Sequence, residues 1–352
     1  MGDSGRGWPF LLSGAVAGAV VPVWLTVEVP ADAKAGTYTG SVTISAEGEK
    51  AVRVPVEVSV ADYVLPDTQD YTTWVDVIQC PDTSSLEYEV PLWGAKHWEM
   101  VAQSFRLIGQ TGSRVVYVPL IAHTNVGNAE SMVRWVERAD GTYGYDFSIM
   151  EKYLEVAEAN LGGTPKLVIF VVWDHYMIPA KDADAQGKGT RGRQKQMAQA
   201  VRKVGGALGQ GPMVTAYKAG TQEVELVELP AHTDPEKSKV LWKPLFDELR
   251  ERMKKRGLEE KMMLGIISDA WPTQGDFAFF NEVSGEMQWV IQSHEGYMRY
   301  SRRGVSVIPS LYGIAKLGYQ AVVWPVNFSD DGTHRGSRNY GQITSMCGWK
   351  RK

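Results

Sequence analysis

The sequence predicts an α/β chain, a (β/α)8 TIM-like barrel preceded by a partial antiparallel β-sandwich module. Three observations carry this reading. Residues 22–60 alternate apolar and polar positions in runs of strand length, separated by turn-forming residues. From residue 71 onward apolar strand-like runs alternate with helical patterns, the signature of a parallel sheet. The length of 352 residues accommodates one barrel of about 250 residues and an accessory module. The expected division is a signal-like or disordered start at 1–20, the β-module at 21–66, and the barrel at 67–352 with an insertion at about 177–235.

The apolar run Phe10 to Val21 follows a single basic residue, Arg6. It reads as a signal-peptide h-region, or as a strand or disordered start, and it is too short to span a membrane. Secretion or export to a periplasm therefore stays open. In the β-module, Val23, Leu25, Val27 and Val29 mark one face of a first strand. TYTGSVTIS and AVRVPVEVSV supply two more, with Leu65, Pro66 and Asp67 leading out.

In the barrel, TTWVDVIQ is the first expected strand. A helix follows with Trp98, Val101, Ala102, Phe105 and Ile108 at helical spacing. SRVVYVPL is the second strand, and Asp146 can cap a helix that carries Ile149, Tyr153, Ala157 and Leu161. KLVIFVVW, almost free of polar residues, is a strand covered on both faces. The polar excursion holds a hairpin, MVTAYKAGTQEVELVEL, that can supply an eighth strand. LWKPLFDELRERMKKRG is an amphipathic helix with Leu241, Leu245 and Leu249 as its stripe and Gly257 as its stop. MMLGIISD, MQWVIQSH, the weaker GVSVIPS and QAVVWPVNF complete the strand set.

Composition narrows the function classes. At 44% hydrophobic and 22% charged, the chain has globular and not disordered composition. A net charge of −4 leaves no electrostatic footprint for nucleic acid, and the run KGTRGRQK reads as a solvated loop. Two cysteines, Cys80 and Cys347, are too few for a disulfide scaffold or a zinc site, and neither has the context of a nucleophile. GGALGQG lacks the Lys-Ser/Thr of a phosphate loop, and no Gly-x-Ser-x-Gly elbow occurs. The 12 tryptophans suit a large core and also suit sugar binding.

Barrel enzymes carry their chemistry at the C-terminal ends of strands. Here those ends read Trp173-Asp174-His175-Tyr176, Ser268-Asp269-Ala270-Trp271-Pro272, Gln292-Ser293-His294-Glu295 and Trp324-Pro325-Val326-Asn327-Phe328. Glycoside cleavage needs a proton donor for the leaving oxygen and a carboxylate or water on the opposite face. Asp174, Asp269 and Glu295 are the candidate catalytic carboxylates. Trp173, His175, Trp271, His294, Trp324 and Asn327 are the candidate sugar contacts. The substrate expected is a carbohydrate, with no cofactor. Each carboxylate also reads as a helix N-cap, and each histidine as a hydrogen-bonded loop residue. A metal-dependent hydrolase built on His175, His294 and the aspartates is a competing reading, though their spacing matches no ligand motif. A non-catalytic carbohydrate-binding protein is another.

PVWLTVEVPADAKAGTYTGSVTI, VPVEVSVADYVLPD and Lys255-Arg256-Gly257-Leu258 before MMLGIISD resemble the proteins grouped as domain of unknown function 4091, relatives of glycoside hydrolase family 123. The likeness runs from about Val21 to Phe328. Its most specific stretch, Pro-x-x-x-x-x-Gly-Thr-Tyr-x-Gly at Pro30–Gly40, is structural. The resemblance implies a β-sandwich, a barrel and glycoside hydrolysis; in family 123 the substrate is a terminal β-linked N-acetylgalactosamine. It also implies an adjacent Asp–Glu pair, Asp orienting the acetamido group and Glu donating the proton. Asp269 matches the Asp, and Ala270 stands where the Glu is expected.

Overall fold

The computed structural model describes residues 23–71, 75–124, 127–180, 208–221, 223–232, 234–267, 272–293, 301–302 and 305–311, with helical positions 195 and 199. The chain divides into two compact units, Met1–Pro66 and Asp67–Lys352.

In the first unit, β1 (Gly36–Ile44) and β2 (Val52–Val60) form one antiparallel ladder, from Gly36 opposite Val60 to Ile44 opposite Val52. Gly48 in the left-handed region closes the connection, with the Glu49 amide bonded to the Ala46 carbonyl. The run at Val23–Val29, expected as the first of three strands, joins no ladder among the described residues. Alternation marks the side chains for a sheet face, but a strand exists only where its amides find a partner edge. Trp24 is 90% exposed, and Val23, Leu25, Val27 and Val29 are exposed with it.

The second unit adds β3 (Val115–Pro119), β4 (Arg134–Glu137), β5 (Tyr143–Asp146), β6 (Leu167–Val171), β7 (Met213–Lys218), β8 (Glu225–Glu228), β9 (Met262–Ile267), β10 (Trp289–Ser293), β11 (Ser301–Arg302) and β12 (Val305–Leu311). Its helices are α1 (Pro81–Glu87), α2 (Ala95–Gln110), α3 (Ser148–Asn160), α4 (Pro235–Lys255) and α5 (Gln274–Ser284). The main sheet runs β11-β12-β10-β9-β6-β3. Its ladders are parallel, apart from the short β11–β12 pair.

The apolar strand sequences follow from burial on both faces. Val168 and Phe170 of β6 join Val116, Leu264, Trp289 and the helix residues Phe105, Leu154, Phe246 and Phe280 in the larger core. Leu167, Ile169 and Val171 point the other way, onto Val115, Tyr117, Met263, Ile267 and Val290. Gly265 is required where β9 passes β6, because a Cβ there would collide with the Ile169 side chain. On the helix side, Arg256 ties α4 to α3 through Glu151 and Glu158, and Arg252 lies 4.3 Å over the Phe147 ring. Gly257, at φ 67°, ends α4 as its sequence indicates.

The expected α/β class holds, with a parallel sheet flanked by helices; the described residues form no closed barrel. Two expectations are corrected. The hairpin β7–β8 supplies no barrel strand. It joins β4 and β5 in a separate sheet ordered β5-β4-β7-β8, because the β4 edge accepts β7 in parallel from Trp135 opposite Ala216. Of the first expected strand, residues 75–79 form no ladder; side chains tie them instead, Tyr117 Oη donating to Asp76 (2.7 Å) and Gln79 Nε2 to Tyr153 Oη (3.0 Å). QAVVWPVNF lies outside the described residues.

Candidate active site

Parallel strands expose their C-terminal ends at one edge of a sheet, where loops turn back into helices. In the described structure two such loops, residues 120–124 with 127–133 after β3 and residues 172–178 after β6, meet residues 80–94, which lead into α2.

Asp174 begins a single turn of 3-10 helix at His175–Met177. It is 3% exposed, and its Oδ1 accepts from the His175 amide (2.6 Å), with His175 Nδ1 at 3.5 Å from the same oxygen. The cap reading therefore holds for Asp174, and it fixes the carboxylate beside an imidazole. Next in sequence, Tyr176 Oη donates to the Ala122 carbonyl (3.1 Å) and accepts from the Met213 amide (3.2 Å), which joins this loop to the β3 exit. Burial drives the Tyr176 phenol well above the ordinary tyrosine range, so it acts as a neutral strut.

Asn128 organises the β3 exit loop. Its Oδ1 accepts from the Thr124 amide and hydroxyl, and its Nδ2 donates to the carbonyls of Ile121 (2.9 Å) and Glu130 (2.8 Å). Buried amides earn their place only when satisfied, and this one uses both ends. His123, at φ 57°, sits exposed at the start of that loop. Ser131 and Thr215 each donate the backbone amide to the other's hydroxyl oxygen, which anchors the loop on β7.

The segment 80–94 reaches across to the β3 exit loop. Asp82 is buried at the start of α1 and accepts from the Ala129 amide. Desolvation raises its pKa, the Glu130 charge adds to that, and the Ala129 bond opposes both. Cys80 beside it has a thiol pushed up by burial and by Asp82, which is the reverse of an activated nucleophile. His97, wholly buried, accepts at Nδ1 from the Trp93 amide (3.0 Å), so Nε2 carries the proton donated to the Pro81 carbonyl (2.9 Å). That pattern defines a neutral imidazole. Trp93 Nε1 donates to Glu130 Oε2 (3.3 Å), which also takes Arg134 (2.7 Å).

The residues expected at the site fare differently. Asp174 and His175 lie together at the sheet edge. Trp173 does not serve as an open sugar contact here: it is 0% exposed, packed in the larger core, because its side chain turns inward at the strand exit. Asp269, Trp271, His294, Glu295, Trp324 and Asn327 lie outside the described residues. The described strands that precede them, β9 to Ile267 and β10 to Ser293, are parallel neighbours in the same sheet as β6. Among the described residues no group of three His, Cys, Asp or Glu is placed to hold a metal ion, and no helix is long and apolar enough to cross a membrane.

Asp82, Trp93, His97 and Glu130 were not singled out from the sequence as site residues. The signal available for them was weak, an aromatic pair flanking a Gly and His in Leu92-Trp93-Gly94-Ala95-Lys96-His97-Trp98.

The sequence model of "Glycoside hydrolase 123, catalytic domain" matches residues 79–284, more than half of the chain. Among solved structures, a family 123 glycoside hydrolase from Clostridium perfringens, studied for glycolipid glycan hydrolysis, is similar with a TM-score of 0.53 at 15% identity. That likeness covers 76% of this chain and 43% of the Clostridium protein, so the chain spans less than half of that protein's length. A search of curated proteins found no match. The matched residues run from Gln79 through these three segments to the end of α5, and the chain belongs to glycoside hydrolase family 123.

Proposed function

We propose that this chain hydrolyses glycosidic bonds of a glycan with carboxylates at the strand ends of its parallel sheet, and that the sheet is part of a (β/α)8 barrel. The observation that carries the reading is the match to the family's catalytic domain across the segment that builds the polar sheet edge. Asp269 is the substrate-orienting carboxylate, two residues past the end of β9. Asp174, next to His175, shapes the same edge from β6. Glu295, two residues past the end of β10, is the proton donor in place of the Glu that Ala270 replaces. His175, Trp271, His294, Trp324 and Asn327 bind the sugar. Glycans of the glycolipid type are the first substrates to try, given what the similar Clostridium structure acts on.

Ala270 also favours a second reading, a carbohydrate-binding protein without catalysis, since an alanine methyl cannot donate a proton. Assay of the full chain on aryl glycosides and natural glycans decides between them. Hydrolysis that falls about 100-fold or more in Asp269→Asn supports the hydrolase. Retained glycan binding with no turnover by the native chain supports the second reading.

A further inference from the structure

Trp93 packs against the margin of the larger core, yet it is held there by more than core packing requires. Its backbone lies at φ 60°, in the left-handed region that a bulky side chain rarely adopts. Such strain persists only where the surroundings over-determine it, and it collects at functional sites. Here the surroundings are explicit. The Trp93 amide bonds to His97, the indole Nε1 bonds to Glu130, and the ring lies 5.2 Å from Trp98 at 34° and edge-on to His97 at 5.3 Å.

The contrast with other tryptophans is informative. Trp135, Trp173, Trp242 and Trp289 are fully buried, and each leaves its Nε1 without a hydrogen-bond partner among the described residues. These are core side chains chosen for volume. Trp93 is only partly buried and has its nitrogen satisfied. An indole pinned at its N–H edge and only partly buried suits stacking on the C–H face of a pyranose. Its position suits this too. Trp93 immediately precedes the Gly94 cap of α2 at the C-terminal edge of the sheet, and Glu130 comes from the β3 exit loop. That loop is joined through Ala122 to Tyr176, two residues from Asp174.

We propose that Trp93, fixed by His97 and Glu130, is a sugar-stacking platform that binds a pyranose ring of the glycan substrate. The inference rests on the proposed hydrolase reading and adds a binding position to it. The competing explanation is a hydrophobic staple, because Trp93 and Trp98 occupy the two positions, just before the cap and four residues into the helix, that a staple joins. A staple needs an apolar side chain; it needs neither an aromatic face nor an indole N–H.

Trp93→Leu separates the two, since leucine keeps the staple and removes the platform. The probe is a panel of methyl β-glycosides of hexoses and N-acetylhexosamines, with binding to the full chain followed by saturation-transfer NMR and KM and kcat measured on the corresponding aryl glycosides. The expected result is roughly tenfold weaker binding and a similarly raised KM, kcat within about twofold, and an unchanged thermal midpoint; Trp93→Phe recovers part of the affinity. Native-like binding by Trp93→Leu overturns the platform while leaving the hydrolase reading intact. A lowered midpoint with unchanged affinity overturns it equally, in favour of the staple. If the native chain neither binds nor cleaves any glycoside of the panel, the proposed function fails and the platform with it.

Discussion

Asp82 carries a carboxyl that its surroundings pull in opposite directions: burial and Glu130 disfavour its charge, and the Ala129 amide favours it. The net shift is upward, so the folded chain holds this proton more tightly than the unfolded chain does. Stability contributed at this site is therefore present below the ordinary aspartate range and lost as pH rises through the folded value. Asp82→Asn keeps an acceptor for Ala129 and removes the desolvated charge. Relative to the native chain, its urea midpoint is expected to improve between pH 4 and pH 7; a difference that is constant with pH would refute this. Glu295 yields a kinetic prediction. A general acid contributes about 10²–10⁴-fold, and least when the leaving group is already acidic. Glu295→Gln is expected to slow natural glycosides far more than activated aryl glycosides, and equal losses on both would remove the acid role. At this scale Asp174 was legible because it ends an apolar strand. Asp82, His97 and Trp93 were not, since their meaning comes from contacts with Ala129, Pro81 and Glu130 that no local pattern announces.

At the scale of the element, periodicity located α2, α3 and α4, and apolar runs located β3, β6, β9 and β10. What it could not assign was partnership. The strands β7 and β8 read correctly as a hairpin, but their place beside β4 depends on an edge created by β4 and β5, whose short alternating sequences, RWVE and YGYD, give little signal of their own. Helix α5 was missed behind Gly275 and Pro272, although its start is specified by side chains. Thr273 Oγ1 accepts from the Asp276 amide (3.1 Å), and Asp276 Oδ2 accepts from the Thr273 amide (2.8 Å), a reciprocal capping box. The other Asp276 oxygen faces buried His232 at 3.7 Å. This cap starts α5 shortly after Asp269 in the sequence, and its loss is expected to be felt at the helix start. Thr273→Ala should cost about 1 kcal/mol of stability in chemical denaturation, with Thr273→Ser close to native. A full-strength Thr273→Ala variant would show that packing of Phe277, Phe279 and Phe280 alone sets the helix start.

At the scale of the whole molecule, the two units differ in what holds them. The second unit buries β6 and β9 completely, between two apolar clusters, and links its loops by satisfied side-chain bonds. The first unit is a two-stranded ladder whose large apolar residues Tyr38, Ile44, Val52 and Val54 stand exposed. An isolated two-stranded ladder is marginal in water, because each residue ordered costs conformational entropy that one half-exposed face hardly offsets. Local opening free energies therefore differ along the chain, approaching zero where apolar burial is slight and reaching the global value only in core strands. Amide hydrogen exchange of the full chain reads this directly. Amides of β6 and β9 are expected to exchange last, and those of β1 and β2 orders of magnitude sooner, at a rate that mild urea scarcely changes. The sequence could show the apolar alternation of β1 and β2 but not whether that face is covered, which is why a sandwich was expected there. If β1 and β2 instead exchange as slowly as β6, their exposed residues are covered in solution, and the stability of the first unit resides in that cover and not in its own ladder.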